Sequence, residues 1–291
     1  MGKTMSKVST KDISELRART GAGIGDCKTA LQEAEGDMDK AAEVLRKKGI
    51  AKAEKRAGRS ASQGLVAIAL APDGGGGAMV ELNCETDFVA RTEDFLALAR
   101  DLAAHALQHA PVGVNAGSLD DQRFRGATVA EVVKQVSGKT GEAMSLSRVA
   151  RFHQSRGAVA SYLHHNSQVG ALVDLEGPRG DVLTALARDL ALHVASADPI
   201  GVSEADIPVE VIERERRIAT EQVAQEGKPE QIRPKIVEGK LKKFIAERTL
   251  LGQPFVKDDK KTVGALVQEA AKRAGEPITV KRLARFKVGD G

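Results

Sequence analysis

A chain of 291 residues, 42% of them hydrophobic, is long enough for more than one core; its two cysteines, Cys27 and Cys84, form no CxxC pair and support neither a disulfide framework nor a zinc knuckle. The 44 basic residues nearly cancel the 40 acidic ones, and seven Phe, one Tyr and no Trp offer few platforms for stacking bases, so no direct nucleic-acid partner is expected. Met1–Lys11 carries no apolar leader and no later segment offers the roughly 20 apolar residues that cross a bilayer, which sets the expectation of a cytoplasmic protein without a membrane partner.

The first 50 residues read as three short helices. Ser9 to Asp12 can cap the first, which carries Ile13 and Leu16 and is ended by Thr20-Gly21-Ala22-Gly23. Asp26-Cys27-Lys28-Thr29-Ala30-Leu31 opens the second, and Gly36-Asp37 stops it. Met38, Ala41, Ala42 and Leu45 mark a third by their helical spacing. A bundle this small looks like a docking module, placed at residues 1–52. From Arg46 to Arg59 there are seven basic residues and one acid, and Ser60 and Ser62 follow. We read a solvated linker over residues 53–62 in preference to an RNA contact.

An internal repeat organises the rest. Ala78-Met79-Val80-Glu81-Leu82 matches Ala171-Leu172-Val173-Asp174-Leu175, both alternating as half-buried strands do. Leu98-Ala99-Arg100-Asp101-Leu102-Ala103 recurs at Leu186 to Ala191, each followed two residues later by a histidine, His105 and His193. Thr128-Val129, Gly141-Glu142 and Arg148 to Phe152 match Thr262-Val263, Gly275-Glu276 and Arg282 to Phe286 at one constant offset of 134 (148 to 282). Each copy reads as strand, hairpin turn, strand, helix, helix, strand, which makes the fold class α+β. The first copy spans residues 63–154, and the second is divided into 155–199 and 251–291.

Insertions into a duplicated scaffold fall on loops, where function is usually carried. The offset between copies drops from 93 (78 to 171) to 88 (98 to 186), giving the first copy five extra residues within Asn83 to Arg91. The second copy holds the longer insert, residues 200–250. There Ile212 and Ile218, then Val237, Leu241 and Phe244, line two charged helices about Gly227-Lys228-Pro229. This predicts an antiparallel helical hairpin of coiled-coil type, its second helix beginning near Pro234. Its narrow stripe suits a contact between two copies of the chain, through hairpin or core, as well as a reach toward another protein.

Candidate chemistry is sparse. Gly21 to Gly25 follows a helix where a nucleotide fingerprint needs a strand, while Gly2-Lys3-Thr4 and Gly138-Lys139-Thr140 lack the rest of a phosphate loop. Gly74 to Gly77, after Pro72-Asp73, reads as a flexible hairpin tip. The six histidines show no metal-ligand spacing, so no metal and no cofactor is expected, and no catalytic constellation stands out. Thr86-Asp87-Phe88-Val89 differs, being present in one copy only. Its residues alone fit either a helix cap with a core aromatic or an exposed wedge. Thr92, Glu93 and Asp94 are better placed to cap the next helix, which leaves Asp87 and Phe88 for another task.

These residues are where the chain resembles the bacterial elongation factor Ts family. Thr20-Gly21-Ala22-Gly23 with Asp26-Cys27-Lys28 and Ala30-Leu31 is similar to the family's N-terminal signature, and Asn83 to Val89 to its second. His193-Val194-Ala195, Val237 to Lys240 and Gly252 to Val256 extend the resemblance over nearly the whole chain. The resemblance implies a UBA-like N-terminal domain, two related core subdomains and a helical hairpin. It further implies a guanine nucleotide exchange factor, not an enzyme of covalent chemistry, whose partner is the GTPase elongation factor Tu. Thr86, Asp87, Phe88 and Val89 would act near the partner's Mg2+ site, Phe88 as the wedge. Arg17, Ile24 and Gly25 would touch the GTPase domain and His164 a more distant one. Gly25 stands where relatives commonly have a larger apolar residue, one extra residue in Leu163 to Ser167 makes His165 the alternative to His164, and the sequence stops without the C-terminal helical extension of some relatives. Two other roles compete: an adaptor recruiting helical peptides through its N-terminal bundle, and an RNA-binding accessory factor using the basic run.

Overall fold

A computed structural model describes residues 8–56, 58–114, 119–227 and 229–290. Gly2-Lys3-Thr4 and Lys228 of the expected hairpin turn lie outside the described residues. Three helices open the chain: α1 (Thr10–Thr20), α2 (Ile24–Glu33) and α3 (Met38–Glu54). Ser9 and Asp12 bond each other's backbone N–H in a capping box, and Gly21, at φ +67°, ends α1 in a left-handed turn. Asp37 caps α3 by accepting from Asp39 and Lys40 N–H. Leu16, Cys27, Ala30, Leu31, Ala41 and Leu45 form the small core between them.

Two boundaries differ from the sequence-based expectation. Helix α2 starts at Ile24, with the extended Gly23 as N-cap, so Asp26 falls inside its first turn, where the helix dipole favours a carboxylate. Helix α3 runs to Glu54, so Arg46 to Lys52 lie within its C-terminal turns, and the stretch before the first strand is shorter than the basic run suggests.

The remainder is α+β. In chain order follow β1 (Gln63–Leu70), β2 (Gly76–Cys84), α4 (Asp87–Ala90), α5 (Glu93–His109), β3 (Gly113–Val114), β4 (Arg123–Phe124), β5 (Ala127–Thr128), α6 (Val129–Thr140) and β6 (Met144–His153). Then come β7 (Gly157–Leu163), β8 (Val169–Glu176), α7 (Asp181–Ala197), α8 (Val209–Gln225), α9 (Arg233–Arg248), β9 (Pro254–Phe255), β10 (Asp258–Thr262), α10 (Val263–Ala274) and β11 (Thr279–Lys287). One antiparallel sheet has the order β1-β2-β6-β3 and another β11-β8-β7. Each sheet carries helices on one face: Phe95, Leu98 and Leu102 of α5 and Val132 and Val133 of α6 pack on Val80 and Leu82, while Leu186, Leu190 and Val194 of α7 and Val267 of α10 pack on Val173 and Leu175. The other faces meet in a third cluster, where Val66, Met79, Ala150 and Phe152 face Val159, Leu172, Ala284 and Phe286. The strands β2 and β8 are thus buried on both sides, which is why they read as near-continuous apolar runs broken by a single acid.

Those acids, Glu81 and Asp174, sit in the sheet-to-sheet layer and are almost wholly buried. Arg148 Nε donates to Glu81 Oε2 at 2.6 Å and Arg282 Nε to Asp174 Oδ2 at 2.6 Å. Each guanidinium also lies over a ring of the opposite sheet, Arg148 over Phe286 at 4.6 Å and Arg282 over Phe152 at 5.0 Å. A bulge makes this possible in both sheets. Leu146 and Arg148 are two apart yet face opposite ways, as do Val280 and Arg282, because the register shifts between them.

The glycine run behaves unlike the flexible tip expected of it. Pro72 and Asp73 form the turn, Gly74 and Gly75 bend out of it, and Gly76 and Gly77 belong to β2 and are buried. A Cβ on Gly77 would lie 2.8 Å from Val159 Cγ1, and Gly74 O accepts from Val159 N–H at 2.9 Å. Close approach of the two sheets, not turn flexibility, requires glycine at position 77.

Helices α8 and α9 form the inserted pair, and Pro234 occupies the first turn of α9, where its missing N–H costs nothing. On α9 the expected Val237 and Leu241 are buried, while on α8 the buried positions differ from the expected ones. Ala219 and Val223 of α8 are buried with Val237 of α9, and Ile218 is 39% exposed. Ile212 is half-buried and Ile218 lies one position from the buried Ala219.

Candidate functional site

The five residues that only the first copy possesses hold helix α4, a single turn between β2 and α5. Thr86, in extended conformation, caps it by accepting from Val89 N–H, and Val89 and Ala90 are drawn into the first core. Phe88 points the other way and is 81% exposed. The cap is therefore Thr86 and the aromatic is outside, which settles the two alternatives the residues left open. An isolated exposed Phe gains nothing for the fold, and among the described large apolar residues none is more exposed.

Asp87 is not free as expected: its Oδ2 accepts from Arg91 Nη2 at 2.8 Å. Both side chains are about half or more exposed, so the pair is worth roughly 0.2–1 kcal/mol and exchanges easily for another cation. Helix α5 begins at Glu93 as the Thr92-Glu93-Asp94 signal suggested, but Thr92 Oγ1 donates back to Val89 O at 2.8 Å and makes no side-chain cap bond. This ties α4 to α5.

The base of the turn is braced. Cys84 is buried, its Sγ lies 3.1 Å from Thr86 O, and burial with the nearby Glu142 carboxylate pushes its thiol up to about 12. It stays a neutral thiol at physiological pH, which removes it as a nucleophile. Glu85 Oε1 accepts from Ala143 N–H at 2.7 Å and Glu142 Oε2 from Thr86 N–H at 3.0 Å.

The other singled-out residues lie on separate elements. Arg17 is exposed on α1, and Ile24 and Gly25 form the first turn of α2, Ile24 being 60% exposed. A Cβ on Gly25 meets no atom within 4 Å and its φ is not in the left-handed region, so the missing side chain leaves open space. Gly25→Ala is expected to raise stability by about 0.5–1 kcal/mol through helix propensity, measured by urea unfolding. His164 follows β7; its Nδ1 lies 3.0 Å from Tyr162 Oη and its ring 4.3 Å from that of His165, which is the more exposed of the two.

His193 was read as one of two repeat-related helix histidines. It is fully buried on α7 and is the node of a network that sequence reasoning missed. Val256 N–H donates to Nδ1 at 3.2 Å, so the other nitrogen carries the proton and donates to Gln253 Oε1 at 2.9 Å. Gln253 Nε2 in turn donates to Ala197 O and Glu247 O, binding the root of α9 to α7. The spacing of Gln253 and Val256 within Gly252 to Val256 was the available signal. Burial holds the imidazole below its ordinary 6.5, opposed in part by the Gln253 bond. A folded value below the unfolded one gives stability that is present above about pH 6.5 and lost as pH falls. His193→Ala is expected to cost about 2–4 kcal/mol at pH 7.5 and to flatten the decline in unfolding midpoint between pH 7 and 5.

Gly138-Lys139-Thr140 forms the C-terminal turn of α6, where carbonyls and not N–H groups are left unpaired. Among the described residues no group of three or more His, Cys, Asp or Glu is disposed to hold a metal ion. No helix among them is long and apolar enough to cross a membrane.

The structure is an α+β scaffold that bears an exposed aromatic on a braced turn. Comparison with known proteins makes this particular. A family model described as Elongation factor TS matches residues 85–290. Elongation factor Ts of Alkalilimnicola ehrlichii is 46% identical over 284 residues, covering 98% of this chain and 93% of that protein. Those of Prosthecochloris aestuarii and Aquifex aeolicus are 43% and 45% identical, covering 98% and 97% of this chain and 100% and 98% of theirs. The chain belongs to the elongation factor Ts family of translation elongation factors.

Proposed function

We propose that this chain is a guanine nucleotide exchange factor for elongation factor Tu and works without covalent chemistry. The α1–α3 module, the two core units that share an element order once α4, β3 and the α8–α9 pair are set aside, and that pair itself support this reading. The carrying observation is Phe88, held outside the fold by a turn whose neighbours Val89 and Ala90 are anchored in the core. In this reading Thr86 to Val89 enter the partner beside its Mg2+ site, with Phe88 wedging between side chains and Asp87 trading Arg91 for a group of the partner. The loss of metal and phosphate contacts then weakens GDP. Arg17, Ile24 and Gly25 hold the GTPase domain, and His164 reaches a second domain.

The energetics are those of linkage. A factor that binds the nucleotide-free GTPase more tightly than the GDP form weakens GDP by the same factor, and GDP expels it reciprocally. No differential affinity means no exchange. The test is a pull-down of purified elongation factor Tu on the immobilised chain. Retention without nucleotide and elution by GDP support the proposal. Retention unaffected by GDP would point to an adaptor, and binding that collapses with salt alone to an electrostatic contact.

A further inference from the structure

We infer that Glu142, at the turn between α6 and β6, is the positioning residue that aims the Phe88 turn at the partner; the inference rests on the exchange role proposed above. Its carboxylate takes both donors of Thr86, the N–H on Oε2 at 3.0 Å and the hydroxyl on Oε1 at 2.5 Å. Thr86 is the residue that caps α4, so these two charge-assisted bonds fix the start of the turn, while Val89 and Ala90 anchor its end in the core. The grip is reciprocal, because Glu85 Oε1 reaches back to Ala143 N–H, the residue next to Glu142. Glu142 is itself fixed, with its carbonyl accepting from Ser137 Oγ at 2.5 Å and Gly141 closing α6 at φ +84°.

The molecule contains its own control. The matching turn between α10 and β11 carries Gly275 at φ +75° and Glu276. No extra turn stands beside it among the described residues of that copy, and Glu276 forms a surface pair with Arg156 at 2.7 Å, both side chains at least half exposed. The same Gly-Glu step therefore has a surface role in one copy and clamps the inserted helix in the other. A generic need for glutamate after the helix would not produce that difference. The insert produces it.

A displaced wedge still contacts its partner but fits the strained complex poorly, so the rate at saturation should suffer more than the binding. The test follows release of a fluorescent GDP analogue from elongation factor Tu over a range of factor concentrations. Glu142→Ala is expected to lower the maximal rate about tenfold and to change the half-saturating concentration less than about twofold. Glu276→Ala should match wild type. In a Phe88→Ala background, Glu142→Ala should add little, because it acts through Phe88; independent losses that multiply would overturn the inference. Glu142→Gln keeps one acceptor oxygen for Thr86 and should fall between wild type and Glu142→Ala, and it decides the matter should the alanine variant fail to fold. A glutamine variant at wild-type rate, or an alanine variant that does so, sinks the positioning role. Were the wild-type chain itself unable to accelerate release, the exchange reading would fail instead, so the two failures are told apart.

Discussion

Phe88→Ala is expected to slow factor-stimulated GDP release about 30-fold, the kinetic equivalent of the roughly 2 kcal/mol that a buried interface aromatic contributes when truncated. The same change should move folding stability by less than about 0.5 kcal/mol, because an exposed side chain loses almost no burial on removal. The separation between the two effects is what matters. Stopped-flow release and urea unfolding on one protein sample measure both. A Phe88→Ala variant that exchanges at wild-type speed would take the wedge out of the mechanism, and one that unfolds readily would mean that the ring supports the fold.

The reverse pattern is expected of Asp174→Ala. Removing this buried carboxylate takes the charged partner from the Arg282 guanidinium, whose side chain is 36% exposed and keeps its bond to His153 O, so the expected cost is about 1–3 kcal/mol. That is an appreciable part of the roughly 5–15 kcal/mol by which domains are stable. The bond from Gln154 Nε2 is lost as well. Replacing both charges, Asp174→Leu with Arg282→Met, should recover much of the loss, since what costs most is the unpaired charge and not the absence of the pair. Urea midpoints in the order wild type, double variant, Asp174→Ala are predicted. Equal midpoints for Asp174→Ala and wild type would show that water reaches the layer.

The α+β class was legible because helical spacing in Leu98 to Ala103 and Leu186 to Ala191 recurs beside Ala78 to Leu82 and Ala171 to Leu175, which read as half-buried strands but are apolar runs broken by one acid and buried on both faces. The repeat also located the insert that holds Phe88, since a length difference survives even where chemistry is ambiguous. Exposure of the ring was not legible. Thr86 can cap by its own sequence, but only the packing of Val89 and Ala90 decides which way the next side chain turns. Long-range pairing was equally hidden. Gly77 reads as a turn residue until Val159 is seen against it, and Glu81 and Asp174 read as ordinary strand acids until the bulges bring Arg148 and Arg282 to them. Their common position in the two repeats was the one available hint. In the hairpin, Ile218 outranks Ala219 by hydrophobicity, yet the smaller residue is the one buried with Val223.

Release of a fluorescent GDP analogue from elongation factor Tu, with and without this chain, addresses the central claim most directly. The rate should rise with factor concentration to a plateau far above spontaneous release, and excess Mg2+ should blunt the acceleration, as expected of a wedge that works beside the metal. Release at the spontaneous rate at every concentration of the intact chain would contradict the account.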